Sequence, residues 1–183
     1  MRISLLILIL TINPFYDSPQ KEKYWDNESK LKWSDFRAKP DRTSEHKAST
    51  TCEIVCNIEA TDTYVLVKLY CFFNREESWT KTYDPFLLNH EQRHFDIYES
   101  YARKMRKEIG NILAKDKELV IKDIRSTYEK IFDDCSKMQD QYDRETDHSR
   151  NSDMQEKWNI KIDKLIEETK GYDALEISLS LRN

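Results

Sequence analysis

Two histidines spaced four residues apart, with a glutamate next to the first, are the residues whose types and spacing point most directly to chemistry. His90, Glu91 and His94 form an H-E-x-x-H pattern. On an α-helix, positions four apart differ by about 40°, so both imidazoles would face one cleft and hold one metal ion. Glu91 would lie beside them, where its carboxylate can take a proton from a water molecule that the ion activates. The pattern therefore predicts a metal-dependent hydrolase with Glu91 as its catalytic residue.

Zinc is the ion that this pair of imidazoles predicts. Neutral imidazole is a good ligand for Zn²⁺, which has no redox chemistry of its own, and zinc-bound water can reach a pKa of about 7. Leu87, Ile97 and Tyr101 would share the helical face of the histidines, which indicates that this face points into the protein. The alternative is a chance match on a charged helix whose two histidines face solvent. We expect a Zn²⁺ site that uses His90 and His94.

A catalytic zinc site needs a third protein ligand, and several residues are candidates. His148 lies in a break between two predicted helices and is the favoured ligand, because a loop residue is free to approach the ion. Asp147 and Glu145 are alternatives in the same segment, since oxygen atoms also complete zinc sites. Glu99 is disfavoured because it lies nine positions after the first histidine, about 180° around the helix. It is instead expected to pair with Arg103, four positions later.

Four further residues are weaker candidates. Tyr98 and Tyr101 lie on or near the metal-facing side and could donate to a tetrahedral oxyanion, although tyrosines at helical spacing are more often core residues. Asp96 could orient a ligand, but a solvated or salt-bridged carboxylate is its expected role. His46 is expected in a surface loop.

The motif lies in a segment that is predicted to be helical on independent grounds. Residues 84–114 suit a helix, with Asp84 as the N-cap and Pro85 in the first turn, where its missing N–H costs nothing. Two more helices are predicted over residues 117–142 and 154–170, separated by the polar break DRETDHSRNSD. The second half of the chain is therefore expected to be helical.

The first half has the composition of β-structure. Residues 49–59 and 63–73 are rich in Thr, Ile, Val, Tyr and Phe, and they predict a two-stranded antiparallel ribbon that turns near Asp62. Residues 17–29 form a polar stretch that predicts a linker or a loosely held arm. The expected fold is α+β: a small N-terminal antiparallel sheet followed by a helical half whose active-site helix gives a zincin-like arrangement.

Four cysteines allow one or two disulfides if the chain is exported. A ribbon that turns near Asp62 would place Cys52 opposite Cys71, within reach of a cross-strand bond. The alternative is that Cys52, Cys56, Cys71 and Cys135 are small buried apolar residues. A thiolate zinc site is disfavoured because there is no second close pair of cysteines.

The N-terminus predicts export. Arg2 is followed by the apolar run Ile3–Ile12 and then by Pro14. The run is about half as long as the roughly 20 residues of a membrane-spanning helix, but it matches the apolar segment of a secretory signal. We expect residues 1–20 to be a signal peptide or an uncleaved N-terminal anchor, residues 21–183 to form one zinc-hydrolase domain, and the protein to be periplasmic or secreted.

Composition narrows the possible partners. A chain of 183 residues fits one domain, and 38% hydrophobic with 35% charged residues predicts a modest core and a strongly solvated surface. The formal net charge is −4, and the basic residues are scattered among acidic ones. This pattern argues against nucleic acid as a partner. Contact with a membrane is expected only through an uncleaved N-terminal segment.

Several segments together resemble a known family. They are LKWSDFRAKPD, SWT, LLNHEQRHFDIYESYARKMR, YDRETDHS and the later QEKW. The chain is similar to a bacterial family that is defined by a domain of unknown function. The members of this family are predicted to be secreted Zn-dependent proteases. The resemblance implies that His90 and His94 bind zinc, that Glu91 is the catalytic acid and base, and that the ETDHS segment lies near the site. One departure is Ser149, where the family pattern leads us to expect glycine, so the local turn is expected to differ.

The leading hypothesis is an exported zinc metallopeptidase that hydrolyses peptide bonds in a peptide or protein substrate. A second hypothesis keeps the site but changes the substrate to a cell-wall amide. A third is an exported, non-catalytic module in which zinc is structural and the helical surface binds a partner. A structural site would use four protein ligands, whereas catalysis needs three and an open position.

Overall fold

The computed structural model describes residues 20–181, which form strands in the first part of the chain and helices in the second. An antiparallel sheet followed by three helices confirms the predicted α+β class. The signal or anchor predicted at residues 1–20 lies outside the described residues but for its last position. In chain order the elements are β1 (Glu22–Tyr24), β2 (Ala48–Ser49), β3 (Cys52–Ala60), β4 (Tyr64–Asn74), β5 (Trp79–Thr80), α1 (Pro85–Gly110), α2 (Lys117–Thr146), α3 (Ser152–Glu168) and β6 (Glu176–Ser180).

The strand β4 is the centre of the main sheet. It pairs with β3 over nine residues along one edge, and its other edge is shared by β1, opposite residues 72–74, and β6, opposite residues 64–68. All of these pairings are antiparallel. The side chains that β4 turns toward the helices alternate along the strand, as expected for a half-buried sheet. They are Val65, Val67, Leu69, Cys71 and Phe73, all at most 2% exposed.

Helix α1 begins as the sequence predicts. Asp84 is its N-cap and accepts a hydrogen bond from the backbone N–H of Phe86, while Pro85 occupies the first helical position. The helix packs against β4, α2 and α3. Leu87 and Ile97, which share the face of the histidines, are buried, so this face does point into the protein.

The other two helices differ from the prediction at their ends. Helix α2 continues to Thr146, four residues beyond the predicted end, so Asp143 is a helical residue. Helix α3 begins at Ser152, where the Asn151 side chain accepts from the backbone N–H of Met154 and caps it. The break between the helices is therefore a short turn over residues 147–151.

The N-terminal arm is bound to the core, so its description as a linker or loose arm was wrong. It contains β1, and the Trp25 indole N–H donates to Asp96 Oδ1 at 2.8 Å. The backbone N–H of Leu31 donates to Gln92 Oε1 at 2.7 Å. Both acceptors are on α1, so these residues attach the arm to the helix that carries the motif. The strand β6 was not predicted.

The predicted pairing of Cys52 with Cys71 was also wrong. Cys52 lies opposite Phe73, and Cys71 lies opposite Ile54, because the turn is centred between Asp62 and the next residue. A shift of one residue at the turn displaces the two cysteines by two positions. All four cysteines lie within the described residues and carry free thiols, and burial raises the pKa of Cys52 and Cys71. The alternative, that they are buried small residues, holds for all but the half-buried Cys56.

Within residues 20–181, no helix is both long and apolar enough to cross a membrane.

Candidate metal centre

Two histidines and one aspartate converge between α1 and α2. His90 Nε2 and His94 Nε2 lie 3.1 Å apart, and each lies 3.1 Å from Asp143 Oδ1. A tetrahedral zinc ion with ligands about 2.0–2.1 Å away would separate those ligands by about 3.3 Å. The three atoms therefore already form a triangle of the size that one zinc ion needs.

The protonation of the His94 ring is fixed by its neighbour Gln139. The Gln139 side-chain amide donates through Nε2 to the backbone carbonyl of His94, at 3.1 Å. Its Oε1 then faces His94 Nδ1 at 2.6 Å, so that Nδ1 must be the donor. In a neutral ring this leaves His94 Nε2 with a lone pair that points at Asp143.

The His90 ring has the same arrangement. Its Nδ1 lies 3.0 Å from Oε1 of Gln155, and its plane is stacked on Tyr142 with ring centroids 4.6 Å apart. Both imidazoles therefore turn a lone pair inward, toward a carboxylate oxygen. Histidines that bind metals usually donate their outer N–H to such an acceptor, which sets the tautomer and the ring direction. Three electron pairs at 3.1 Å repel one another unless a cation lies among them, so the donor set fits a divalent metal.

Charge within the triangle also favours a cation. Burial alone would raise the pKa of Asp143, but the hydrogen bonds and charges of His90 and His94 lower it well below its ordinary value. Burial alone would lower the pKa of His94, but the Asp143 carboxylate raises it above its ordinary value. The carboxylate is thus an anion at neutral pH.

Asp143 is the member of this triangle that the sequence reasoning missed. It lies on α2 because that helix continues past Tyr142, and the predicted end placed it at the edge of a loop. A signal was present. Buried residues Ile131, Cys135 and Tyr142 form an inward stripe at helical spacing, and Asp143 lies next to that stripe. A carboxylate at such a position on a buried face requires a partner.

His148, the favoured third ligand, lies at the edge of this triangle. Its Nδ1 is 3.3 Å from Asp143 Oδ1, and its side chain is 41% exposed. It is not one of the three residues whose ligand atoms cluster, which are His90, His94 and Asp143. His46, in a surface loop as predicted, packs the edge of its ring against His148 with centroids 4.7 Å apart. The structure therefore brings His148 to the site through Asp143, and its role as a ligand stays a prediction.

The other candidate ligands have different partners. Glu145 accepts from the Trp158 indole N–H at 2.8 Å, and Asp147 pairs with Arg150 at 2.7 Å. Glu99 is turned toward arginines on its own helix. None of these three carboxylates joins the triangle.

Glu99 and Asp96, which are also on α1, follow their expected roles. Glu99 pairs with Arg103 at 2.8 Å, as the spacing predicts. Asp96 is salt-bridged to Arg93 at 3.1 Å, although it is buried rather than solvated.

Glu91 lies in a cleft that opens beside the triangle. Its side chain is buried, and the Thr50 hydroxyl donates to Glu91 Oε2 at 2.6 Å. The cleft measures about 420 Å³ and is lined by residues 45–50, by α1, by α2 and by residues 148–150. Tyr98 also lines it, whereas Tyr101 packs in the core. Burial raises the pKa of Tyr98, so its phenol is a neutral donor at ordinary pH.

The turn between α2 and α3 has an unusual backbone. Asp147, His148 and Ser149 all have positive φ values, of 48°, 52° and 73°. Residues other than glycine pay about 1–2 kcal/mol each for this left-handed conformation. Such strain is typical of functional sites, where surrounding contacts hold it in place. Ser149, where the family pattern predicts glycine, therefore has a backbone conformation that glycine would adopt with less strain.

Comparison with known proteins identifies one family. Residues 72–149 match the model of a family described as "Bacterial protein of unknown function (DUF922)". A search of curated proteins and a search of solved structures each give no match. The family description names no activity, so the protease activity implied by resemblance stays a prediction. The matched residues 72–149 contain His90, Glu91, His94, Asp143 and His148, so the part of the chain that is similar to this family includes the whole candidate metal centre.

Proposed function

We propose that the protein is a zinc-dependent metallopeptidase in which His90, His94 and Asp143 hold the ion and Glu91 is the general base. One observation carries the proposal: two imidazoles with outward N–H groups and one carboxylate direct their free electron pairs at a common point. These are the ligand types that zinc prefers. The site lies on the wall of an open cleft, as a catalytic metal requires.

The choice of Asp143 over His148 as third ligand follows from distances. Asp143 Oδ1 is equally close to both ring nitrogens, at 3.1 Å, whereas His148 reaches only Asp143. In this assignment His148 orients the carboxylate by a hydrogen bond, as a second layer of residues does in many metal sites. Three protein ligands leave a fourth position for water or substrate, which favours catalysis over a closed structural site.

The chain's own residues supply the remaining chemistry. Zinc, when bound, polarises a carbonyl and activates water for attack. Glu91 accepts the proton of the attacking water and returns it to the leaving amine, and the Thr50 hydroxyl holds its carboxylate in place. Tyr98, a neutral donor in the same cleft, is placed to stabilise negative charge on the substrate oxygen.

An extended peptide is the substrate that the cleft favours. Residues 45–50 line the cleft and include β2, which among residues 20–181 pairs only with β5. We propose that the edge of β2 away from β5, where no strand of the described residues pairs, binds the backbone of an extended chain, a common mode of peptide recognition.

The decisive experiment compares Glu91→Gln with the wild type. The variant preserves the size of the side chain and all three ligands, so zinc content should stay near one ion per chain. Cleavage of a peptide library should fall by about a hundredfold or more as general-base assistance is lost. Both quantities are measured at one pH on full-length protein, with Asp140→Asn as control because that carboxylate is exposed on α2.

The outcome separates the rival functions. Equal cleavage by Glu91→Gln and wild type would remove the peptidase mechanism. Zinc binding without cleavage of any peptide would favour either the non-catalytic module or an amidase, and a panel of cell-wall amides in the same assay distinguishes these two.

We also propose that the protein is exported to the periplasm or secreted. The support is the apolar run Ile3–Ile12 behind Arg2, which has the length of a secretory signal. A reporter fused to residues 1–20 should cross the inner membrane, and Leu8→Arg should block export because it breaks the run. Cytosolic retention of the unmodified fusion would contradict the proposal.

A further inference from the structure

Helix α3 contacts the proposed zinc site through a chain of three hydrogen bonds. Arg93 Nε donates to Asn159 Oδ1 at 3.1 Å, and Gln155 Nε2 donates to the same oxygen at 3.0 Å. Gln155 Oε1 in turn faces His90 Nδ1 at 3.0 Å. Arg93 is the second variable residue of the H-E-x-x-H motif. The chain of bonds therefore begins and ends in the motif, at Arg93 and His90, and passes through Asn159 and Gln155 of α3.

The direction of every bond in this chain follows from Arg93. A guanidinium group only donates, so the side-chain amide of Asn159 must turn its oxygen toward it. That oxygen can only accept, and therefore the NH₂ group of Gln155 must face it. The Gln155 oxygen is then left for His90, whose Nδ1 must carry the hydrogen.

Gln155 Nε2 has a second acceptor in the Tyr142 hydroxyl, at 2.7 Å, and that hydroxyl donates to the backbone carbonyl of His90 at 3.3 Å. Tyr142 therefore favours the same orientation through a long bond, and a hydroxyl that gives up this bond can rotate to become a donor. The Asn159 oxygen, which Arg93 holds in place, is an acceptor that cannot change its role. If the Gln155 amide turned over, two oxygens would face each other, and an NH₂ group would face His90 Nδ1. The hydrogen of the ring would then move to Nε2, the atom that must bind the metal.

His94 needs no such support. The amide of Gln139 is oriented by the backbone carbonyl of His94 itself, which is always an acceptor. The two histidines are therefore held in different ways, since the chain of side chains from α1 and α3 acts on His90 alone. Helix α3 lies outside residues 72–149, the part of the chain that matches the family model.

We infer that Arg93 and Asn159 are positioning residues that fix the metal-binding tautomer of His90 through Gln155. The inference rests on the proposed function, because the tautomer matters most if the ring binds a metal. Gln155 and His90 are at most 2% exposed, so water does not replace the bonds between them. Arg93 is itself held by Asp96, which is buried and also accepts from Trp25.

The test compares Asn159→Leu with Asn159→Asp in the full-length protein. Leucine has a shape similar to asparagine but has no acceptor, whereas aspartate keeps an acceptor for both Arg93 and Gln155. The first measurement is the tautomer of His90 in metal-free protein, from ring ¹⁵N chemical shifts at a pH where the ring is neutral. Wild type and Asn159→Asp should show hydrogen on Nδ1, and Asn159→Leu should show a mixture of both tautomers.

The second measurement is zinc affinity by competition with a chelator. Asn159→Leu should bind zinc about tenfold to a hundredfold more weakly, the usual effect of losing a partner behind a ligand, and Asn159→Asp within about threefold of wild type. Arg93→Met removes the donor that orients Asn159 and should shift the tautomer in the same direction, which covers the case in which Asn159→Leu does not fold.

The two measurements can contradict two different claims, the inference about the tautomer and the proposed function. A pure Nδ1–H tautomer in both Asn159→Leu and Arg93→Met would overturn the inference, even if zinc binds. Absence of zinc binding by the wild type would overturn the proposed function, whereas the tautomer ratios would still report on the chain of hydrogen bonds.

Discussion

Helix α1 contributes to two clusters that surround a carboxylate, the buried Glu99 of α1 and the half-buried Asp143 of α2, and the groups around the two carboxylates differ. Near its C-terminal half, Glu99 accepts from Arg103 at 2.8 Å and from Arg106 at 3.0 Å. In its N-terminal half, the Nε2 atoms of two imidazoles face the carboxylate of Asp143, and the Nδ1 atoms of the same rings face amide oxygens. The first cluster has two guanidinium groups for one carboxylate, and the second has no permanently charged cation.

The difference shows what each cluster requires. A carboxylate between two guanidinium groups is complete, because arginine is always charged and only donates. A carboxylate between two imidazoles has no permanent positive charge beside it, and in the proposed function a divalent ion supplies that charge. The Glu99 cluster is thus a complete ion pair and the Asp143 cluster a candidate ligand site, and variants in each test this difference.

The largest expected effect is on the Glu99 cluster. Glu99→Gln leaves two buried arginines without their shared anion, and loss of one partner of a buried ion pair typically costs about 3–5 kcal/mol. Denaturant unfolding should show a free energy of unfolding lower by about that amount. Zinc affinity of the folded variant should equal that of the wild type.

The matched control is Glu108→Gln, at an exposed position of the same helix. It should change the free energy of unfolding by no more than about 0.5 kcal/mol. Comparable stability for both variants would mean that the arginines around Glu99 are solvated and that the two clusters do not differ as described.

At Asp143 we expect the reverse of the Glu99 result, with the main effect on zinc affinity rather than on the free energy of unfolding. Asp143→Ala removes the proposed third ligand and should weaken zinc binding by about a hundredfold or more, measured by chelator competition. His148→Ala removes only a hydrogen bond to the ligand, so its effect should be about tenfold. Asp140→Asn, on the same helix, should have no effect. A larger loss from His148→Ala than from Asp143→Ala would return His148 to the role of third ligand.

The smallest expected effect concerns the strained turn that holds His148. Ser149→Gly should raise the free energy of unfolding by about 1 kcal/mol, because glycine adopts a φ of 73° without the cost that a side chain brings. Gly at this position also enlarges the unfolded ensemble, which offsets part of the gain. Thermal or denaturant unfolding would measure the change in the free energy of unfolding. A loss of stability would show that the Ser149 side chain stabilises the turn.

The parts of the fold that were predicted correctly depend on neighbours in sequence. Asp84 and Pro85 determine the start of α1 because an N-cap and a first-turn proline act within four residues. The two long strands were found because alternation along one strand is a local pattern. The register between them was wrong, since it depends on which residues close the turn, and one residue of difference moved Cys71 away from Cys52.

The candidate site also has one part that local sequence determines and another that depends on tertiary contacts. The sequence alone placed His90, Glu91 and His94 on one helical face, because the spacing of 3.6 residues per turn fixes their relative directions. Only the tertiary structure decided the rest. Asp143 lies 49 residues after His94 and reaches it because α2 packs along α1, a contact that no local pattern specifies. The tautomer of each imidazole depends on amides that other helices or the backbone orient. The sequence thus determined which side chains share a helical face, and packing decided which of their atoms face the candidate site.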